Sequence, residues 1–273
     1  MDSLSKLTLN NGIAMPSLGL GVLFAKNDGE VEQAVQTALH HGYRKIDTAS
    51  GYGNEDGVGR GIRESEINRN DIFLTTKVWN TEQGYDQTLR SFDESLDKLQ
   101  MDYVDLYLIH WPVRNKYKET YRALETIYRD GRAKAIGVCN FSIAQLEDLM
   151  HHADIVPALN QVEMHPHLGQ HELLDFCNSH QIQLEAWRPI MMGEVLEIPE
   201  LVDIGNTHSK TAVQVALRWL IQRGVAAVPK STNHNRIKAN FDIFDFELSS
   251  DQVSIIDSLN QNRRLGEDLS HIE

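Results

Sequence analysis

Residues 30–49 read EVEQAVQTALHHGYRKIDTA, and they hold one full turn of the pattern on which the fold rests. Val31, Ala34, Val35, Ala38 and Leu39 fall at the i, i+3, i+4 spacing of a helix with a single apolar face, expected over 30–41. Asp28 is placed to cap its start and Gly42 to stop it. Residues 44–49 then form a short buried strand that ends on Asp47-Thr48-Ala49. A helix that lies on a sheet and leads at once into a buried strand is half of a parallel βα repeat.

The same alternation extends in both directions. Strands are expected over 17–22, 44–49, 72–78, 104–110, 133–138, 158–164, 183–189 and 226–230. Between them, Leu89, Phe92, Leu96 and Leu99 repeat the helical stripe, as do Tyr121, Leu124, Ile127 and Tyr128, and later Val213, Ala216, Leu217 and Leu220. Ser142 with Gln145, and Ser249 with Gln252, have the spacing of capping boxes. Eight such strands in 273 residues favour a closed (β/α)8 barrel over an open doubly wound sheet. Ahead of the first strand, 7–9 and 13–15 read as a β-hairpin turning on Asn10-Asn11-Gly12, which would cap the barrel bottom. No linker or low-complexity tract interrupts the chain, so 1–273 is expected to be a single domain.

Composition narrows the function. The formal net charge is −13, which argues against nucleic acid or an anionic membrane as partner. No apolar run approaches the length of a membrane span, and the N-terminal residues lack a signal-peptide layout. The two cysteines, Cys139 and Cys177, do not form a C-x-x-C pair, so neither a disulfide framework nor a structural zinc is expected. The expectation is a soluble, cytoplasmic, monomeric protein without a metal.

In such a barrel, reactive side chains gather at the C-terminal ends of strands. Asp47, Lys77 and His110 stand at three of these ends, thirty and thirty-three residues apart, about one βα unit each. This spacing lets them occupy equivalent heights on neighbouring strands, with Tyr52 in the loop just beyond Asp47. Together they suit proton donation to a carbonyl oxygen. A lysine cation favours the phenolate and is expected to draw the tyrosine pKa down from about 10 towards the working range. A carboxylate keeps that lysine charged, and a histidine can orient the same oxygen. Lys77 could instead serve as a Schiff-base nucleophile in an aldolase or isomerase.

Asp47-Thr48-Ala49-x-x-Tyr52-Gly53-Asn54-Glu55, Thr76-Lys77-Val78-Trp79 and Leu108-Ile109-His110-Trp111-Pro112 closely resemble the aldo-keto reductase superfamily. The likeness continues through Gly137-Val138-Cys139-Asn140-Phe141, Asn160-Gln161-Val162-Glu163-x-His165-Pro166 and Pro229-Lys230-Ser231. Residues 80–85 and 242–248 look most like bacterial and protozoan members, which include glyoxal and methylglyoxal reductases, diketogluconate reductases and prostaglandin F synthases. The resemblance implies an NADPH-dependent reductase of small aldehydes and ketoaldehydes, with Tyr52 as general acid tuned by Lys77 and Asp47, and His110 orienting the carbonyl. It implies carboxamide contacts from Asn140 and Gln161, with Trp187 stacked on the nicotinamide. Gly21, Val22, Arg188, Pro189 and Ile190 would follow the rest of the cofactor. Lys230, Ser231, Thr232 and Arg236 would hold its 2′-phosphate and Asn240 its adenine, while Leu23, Trp79 and Trp111 line the substrate pocket. Some relatives of this fold act instead as nicotinamide-binding redox sensors, which leaves a regulatory subunit as an alternative.

Four positions depart from the family pattern: Cys139 where serine is usual, Arg188 where serine is usual, Ala239 for a glutamate, and Leu23 for an aromatic. Gly57-Val58-Gly59-Arg60-Gly61 lacks the spacing of a dinucleotide loop and reads as close helix packing. His165-Pro166-His167 has no third ligand at a metal-binding spacing. His40-His41 and His151-His152 read as solvated residues near helix ends. Only residues 260–273 follow the last expected helix, so no long C-terminal flap is expected over the pocket.

Overall fold

A computed structural model describes residues 5–266. Strands β1 (Lys6–Thr8) and β2 (Ala14–Pro16) pair antiparallel with Leu7 opposite Met15, as the Asn-Gly turn requires. Eight strands follow: β3 (Leu20–Gly21), β4 (Lys45–Asp47), β5 (Phe73–Val78), β6 (Leu106–Ile109), β7 (Ile136–Cys139), β8 (Leu159–Glu163), β9 (Gln183–Trp187) and β10 (Ala226–Ala227). Each pairs in parallel with the next. Bridges from Leu18 to Ala227 and Gly21 to Lys230 join the two edges, with the Gly19 amide donating to the Ala227 carbonyl at 2.9 Å. The sheet thus closes on itself as a (β/α)8 barrel.

The helices are α1 (Glu30–His40), α2 (Glu55–Glu64), α3 (Tyr85–Leu99), α4 (Tyr117–Arg129), α5 (Ile143–Met150), α6 (His171–Ser179), α7 (Pro199–His208), α8 (Ala212–Gln222), α9 (His234–Phe241) and α10 (Ser250–Ser258). The capping boxes at α5 and α10 form as expected, and Thr211 with Gln214 forms a further one at α8. Asp28 does not cap α1. The residue preceding the helix is Gly29, at φ 104°, which offers no side-chain acceptor, and Glu30 turns back to accept from the Lys26 amide at 2.8 Å.

Two apolar regions result. Between sheet and helices lies the main core, with Val35, Leu39, Phe92, Leu124 and Trp219 fully buried. Inside the barrel, Phe73, Leu106, Ala135, Ala158 and Leu159 gather low on the strands around Met15 and Leu9 from the hairpin. The hairpin therefore plugs the barrel bottom. Towards the C-terminal ends the interior becomes polar, with Lys45, Asp47, Lys77, Gln161 and Glu185 all buried. The glycines of α2 serve helix packing. A Cβ at Gly57 would stand 2.4 Å from Val31 of α1, and one at Gly59 2.1 Å from the Leu99 carbonyl oxygen of α3.

Candidate active site

Asp47 ends β4, Lys77 lies one residue inside the end of β5, and His110 follows β6 directly. They are not level, as their spacing alone suggested. The register pairs Asp47 with Thr75 and Lys77 with Leu108, so each stands two residues further along its strand than the partner of the one before. A two-residue step keeps side chains on the same face of a pleated sheet, so all three enter the barrel interior.

Lys77 organises the group. Its ammonium donates to Asp47 Oδ1 at 2.6 Å, to the Thr48 carbonyl at 2.8 Å and to the Tyr52 hydroxyl at 3.4 Å. Those three bonds use all its protons. Burial opposes the charge, but Asp47 and then Tyr52 outweigh it and hold the ammonium above the usual lysine range. The charged form is thus favoured, which disfavours Lys77 as a Schiff-base nucleophile, a role that needs the neutral amine. Tyr52 closes a 3-10 turn (Ser50–Tyr52) that is pinned through Ser50, whose hydroxyl lies 2.6 Å from the Glu82 carboxylate. Gly51 lets this turn pass beneath Trp79, because a Cβ there would fall 2.6 Å from the indole.

The tyrosine behaves differently from expectation. Burial pushes its phenol up to about 12; Lys77 pulls the other way and Asp47 adds to the rise. The lysine lowers the value, but desolvation outweighs it. His110 packs edge-on to Tyr52 and Trp79, with ring centroids 5.5 and 4.9 Å away. Burial, reinforced by the Lys77 charge, holds the imidazole well below its usual value, so it is neutral at neutral pH. Its Nδ1 is buried without a hydrogen-bond partner among the described residues.

The second Asp47 oxygen accepts from Gln161 Nε2 at 2.8 Å, and the same nitrogen donates to Glu185 Oε2 at 2.8 Å. Glu185 is ion-paired with Lys45, which reaches Met15 Sδ of the hairpin at 3.0 Å. A polar column therefore runs from Tyr52 down to the barrel plug. Lys45 and Glu185 were missed in the sequence. The available signal was parity, since each lies two residues from a residue already singled out, Asp47 and Trp187, on the same strand face.

Around the rim the remaining residues form a track. Asn140, at φ 65°, donates to the His110 carbonyl at 2.9 Å and accepts from Trp187 Nε1 at 2.8 Å. Cys139 Sγ is a loose 4.0 Å from Gln161 Oε1, and burial keeps it a thiol. The Arg188 guanidinium lies 5.5 Å over the Trp187 ring, with Nη1 buried and unpartnered among the described residues. Pro189 is buried and Ile190 half-buried beside it. Across the closing seam, the Gly21–Lys230 bridge sets Gly21 and Val22 against Lys230, Ser231 and Thr232. Arg236 follows in the first turn of α9, and Asn240 is buried on the same helix. Lys230 and Arg236 are exposed and carry no ion pair among the described residues. Neutral amides at one end and unpaired cations at the other suit an extended, phosphate-bearing nicotinamide cofactor. Leu23, Trp79 and Trp111 are half-buried at the mouth.

Residues 17–261 match the family described as Aldo/keto reductase family. The chain belongs to that family. It is 52% identical to glyoxal reductase of Bacillus subtilis, covering 94% of each chain. It also superposes on the crystal structure of an aldo-keto reductase enzyme from a Medee basin deep-sea metagenome library, with a TM-score of 0.95, 46% identity and coverage of 98% of this chain and 99% of that one. The Bombyx mori aldo-keto reductase solved in complex with NADP matches at a TM-score of 0.91 and 37% identity, covering 96% and 94%. The reductase is an oxidoreductase of a family that typically uses NADP(H).

In this reductase, His165 Nε2 lies 3.1 Å from Glu163 Oε1, and no cluster of three metal-ligating side chains occurs among the described residues. His151 and His152 sit over the last carbonyls of α5, each ring 2.7 Å from one of them. No helix among the described residues is long and apolar enough to cross a membrane. The segment after α10 turns back on the site. Leu265 N–H donates to Glu163 at 2.7 Å, and Gly266 lies so close to Trp187 that a Cβ would meet the indole at 2.5 Å. The expectation of no C-terminal flap concerns 260–273, of which 267–273 lie outside the described residues.

Proposed function

We propose that this reductase uses NADPH to reduce small aldehydes and ketoaldehydes, of the glyoxal and methylglyoxal class, to alcohols, and that residues 1–273 act as one barrel unit. The observation that carries the reading is the Lys77 ammonium, held between Asp47 at 2.6 Å and the Tyr52 hydroxyl at 3.4 Å. Asn140, Gln161 and Trp187 would hold the nicotinamide; Gly21, Val22, Arg188, Pro189 and Ile190 would follow the diphosphate. Lys230, Ser231, Thr232 and Arg236 would take the 2′-phosphate, and Asn240 the adenine. When bound, the cofactor supplies a hydride to the carbonyl carbon.

The protein's part is to place and protonate the carbonyl oxygen. Neutral His110 offers an N–H to that oxygen, and the Tyr52 O–H points its proton at the same atom. As the carbon gains hydride, the oxygen becomes an alkoxide, a stronger base than phenolate, so the proton moves downhill even from a phenol near 12. The phenolate left behind is stabilised by Lys77. Leu23, Trp79 and Trp111 supply an apolar wall with few polar contacts, which suits a small, loosely discriminated substrate.

NADPH oxidation with methylglyoxal tests the reading directly. Tyr52→Phe removes the proton and is expected to lower kcat by about 10²-fold or more. A variant that keeps the full rate overturns the assignment.

A further inference from the structure

We infer that Lys45 and Glu185 are positioning residues for the nicotinamide end of the cofactor, acting through Gln161; the inference rests on the cofactor reading above. Both side chains are fully buried, beneath the four residues placed at the reacting centre. Glu185 faces Lys45 through one oxygen and Gln161 Nε2 through the other, at 2.8 Å. Asp47 Oδ2 takes the second proton of that nitrogen, also at 2.8 Å.

A primary amide nitrogen has two hydrogens, and here each is committed to a carboxylate. The flipped amide would press its carbonyl oxygen against two anions, so its orientation is dictated. Gln161 Oε1 is thereby turned away from both acids, towards the Cys139 thiol, which lies a loose 4.0 Å away. It is left as an acceptor for an incoming carboxamide N–H. A serine at position 139 could help fix this amide with a short hydrogen bond, whereas a thiol is a weak donor. The orienting role therefore falls on Glu185, and Lys45 keeps that glutamate's second oxygen paired. Close walls hold Lys45 in turn: Met15 Sδ at 3.0 Å, and Gly19, where a Cβ would stand 2.8 Å from Lys45 Cγ.

A buried ion pair can also be merely structural, and apolar residues of similar volume often replace such pairs without loss of stability. That property makes the test. Lys45→Met/Glu185→Leu removes the charges together with the acceptor that orients Gln161. Lys45→Met/Glu185→Gln removes the charges but keeps an amide oxygen that can still accept. Calorimetric titration then compares NADPH with 2′,5′-ADP, which carries the adenosine and 2′-phosphate but no nicotinamide. The expected result for the Met/Leu variant is NADPH binding weaker by about tenfold, the scale of one lost orienting hydrogen bond, with 2′,5′-ADP within about twofold of wild type. The Met/Gln variant is expected to fall between, and it carries the test alone should the Met/Leu variant not fold. Unchanged NADPH affinity, or equal weakening of both ligands, overturns the inference. A wild-type protein that binds neither ligand overturns the cofactor reading instead.

Discussion

Tyr52 and His110 are both perturbed by burial, and in a direction that favours reduction over a wide pH range. The form of Tyr52 needed is the protonated one. Its pKa is raised to about 12, so that form persists at every pH below that value and is lost only above it. His110 is depressed well below its usual value, so it stays neutral as pH falls through 6.5. Reduction measured as kcat/KM should therefore be flat from roughly pH 6 to 9, without the limb near 6.5 that an ordinary histidine would give. An acid limb centred near 6.5 would count against a neutral His110. Lys77→Met removes the cation that lowers the Tyr52 pKa and should shift the basic limb upward while the rate drops. At this scale the sequence was legible where the βα spacing applied. Asp47, Lys77 and His110 could be placed at strand ends because such ends recur at one βα unit. The sign of the Tyr52 shift could not be read, because desolvation depends on what covers the ring, and Gly51, Trp79 and His110 meet there only in three dimensions. Lys45 and Glu185 escaped for a related reason: a charged residue in a strand looks solvent-facing until a partner on a distant strand is known.

The elements were legible through their periodicity, and their junctions less so. Seven of the eight barrel strands lie within their expected ranges and β7 runs one residue past its own, to Cys139, but β10 keeps only Ala226–Ala227 and β3 only Leu20–Gly21. These two meet at the closing seam, where the joins beyond them are single bridges rather than a ladder. The α1 start shows the limit of local cues, since Asp28 has a capping side chain but the chain turns one residue later, at Gly29. The α2 glycines show the opposite case. Their spacing suggested packing, and the contact with α3 supplies the reason. Gly59→Ala would drive a methyl into the Leu99 backbone carbonyl, 2.1 Å away, which cannot yield as a flexible side chain would. Overpacking of this kind costs about 1–3 kcal/mol. Urea denaturation should show that loss as a lower midpoint at unchanged slope. A variant as stable as wild type would mean that α2 and α3 can separate freely.

For the whole molecule, the notable feature is a negatively charged protein whose proposed cofactor is also an anion. The net charge of −13 repels NADPH at long range, while Lys230 and Arg236 at the closing seam would attract its 2′-phosphate at contact distance. Salt separates the two effects. At physiological ionic strength charges more than about 8 Å apart are largely screened, so added salt relieves the diffuse repulsion. It also weakens the exposed contact pairs, and with two cations on one dianionic group the contact term dominates. Wild-type affinity for NADPH should therefore fall as salt rises. Lys230→Ala/Arg236→Ala keeps the repulsion and loses the attraction. Its NADPH affinity should drop by about tenfold to a hundredfold at low salt, and then hold steady or improve as salt is added. NADH lacks the 2′-phosphate, so its affinity should be nearly the same in both proteins. Titrations of NADPH and NADH at low and high salt check all three expectations. Equal losses for the two cofactors, or a variant whose salt slope matches wild type, would remove Lys230 and Arg236 from the 2′-phosphate site.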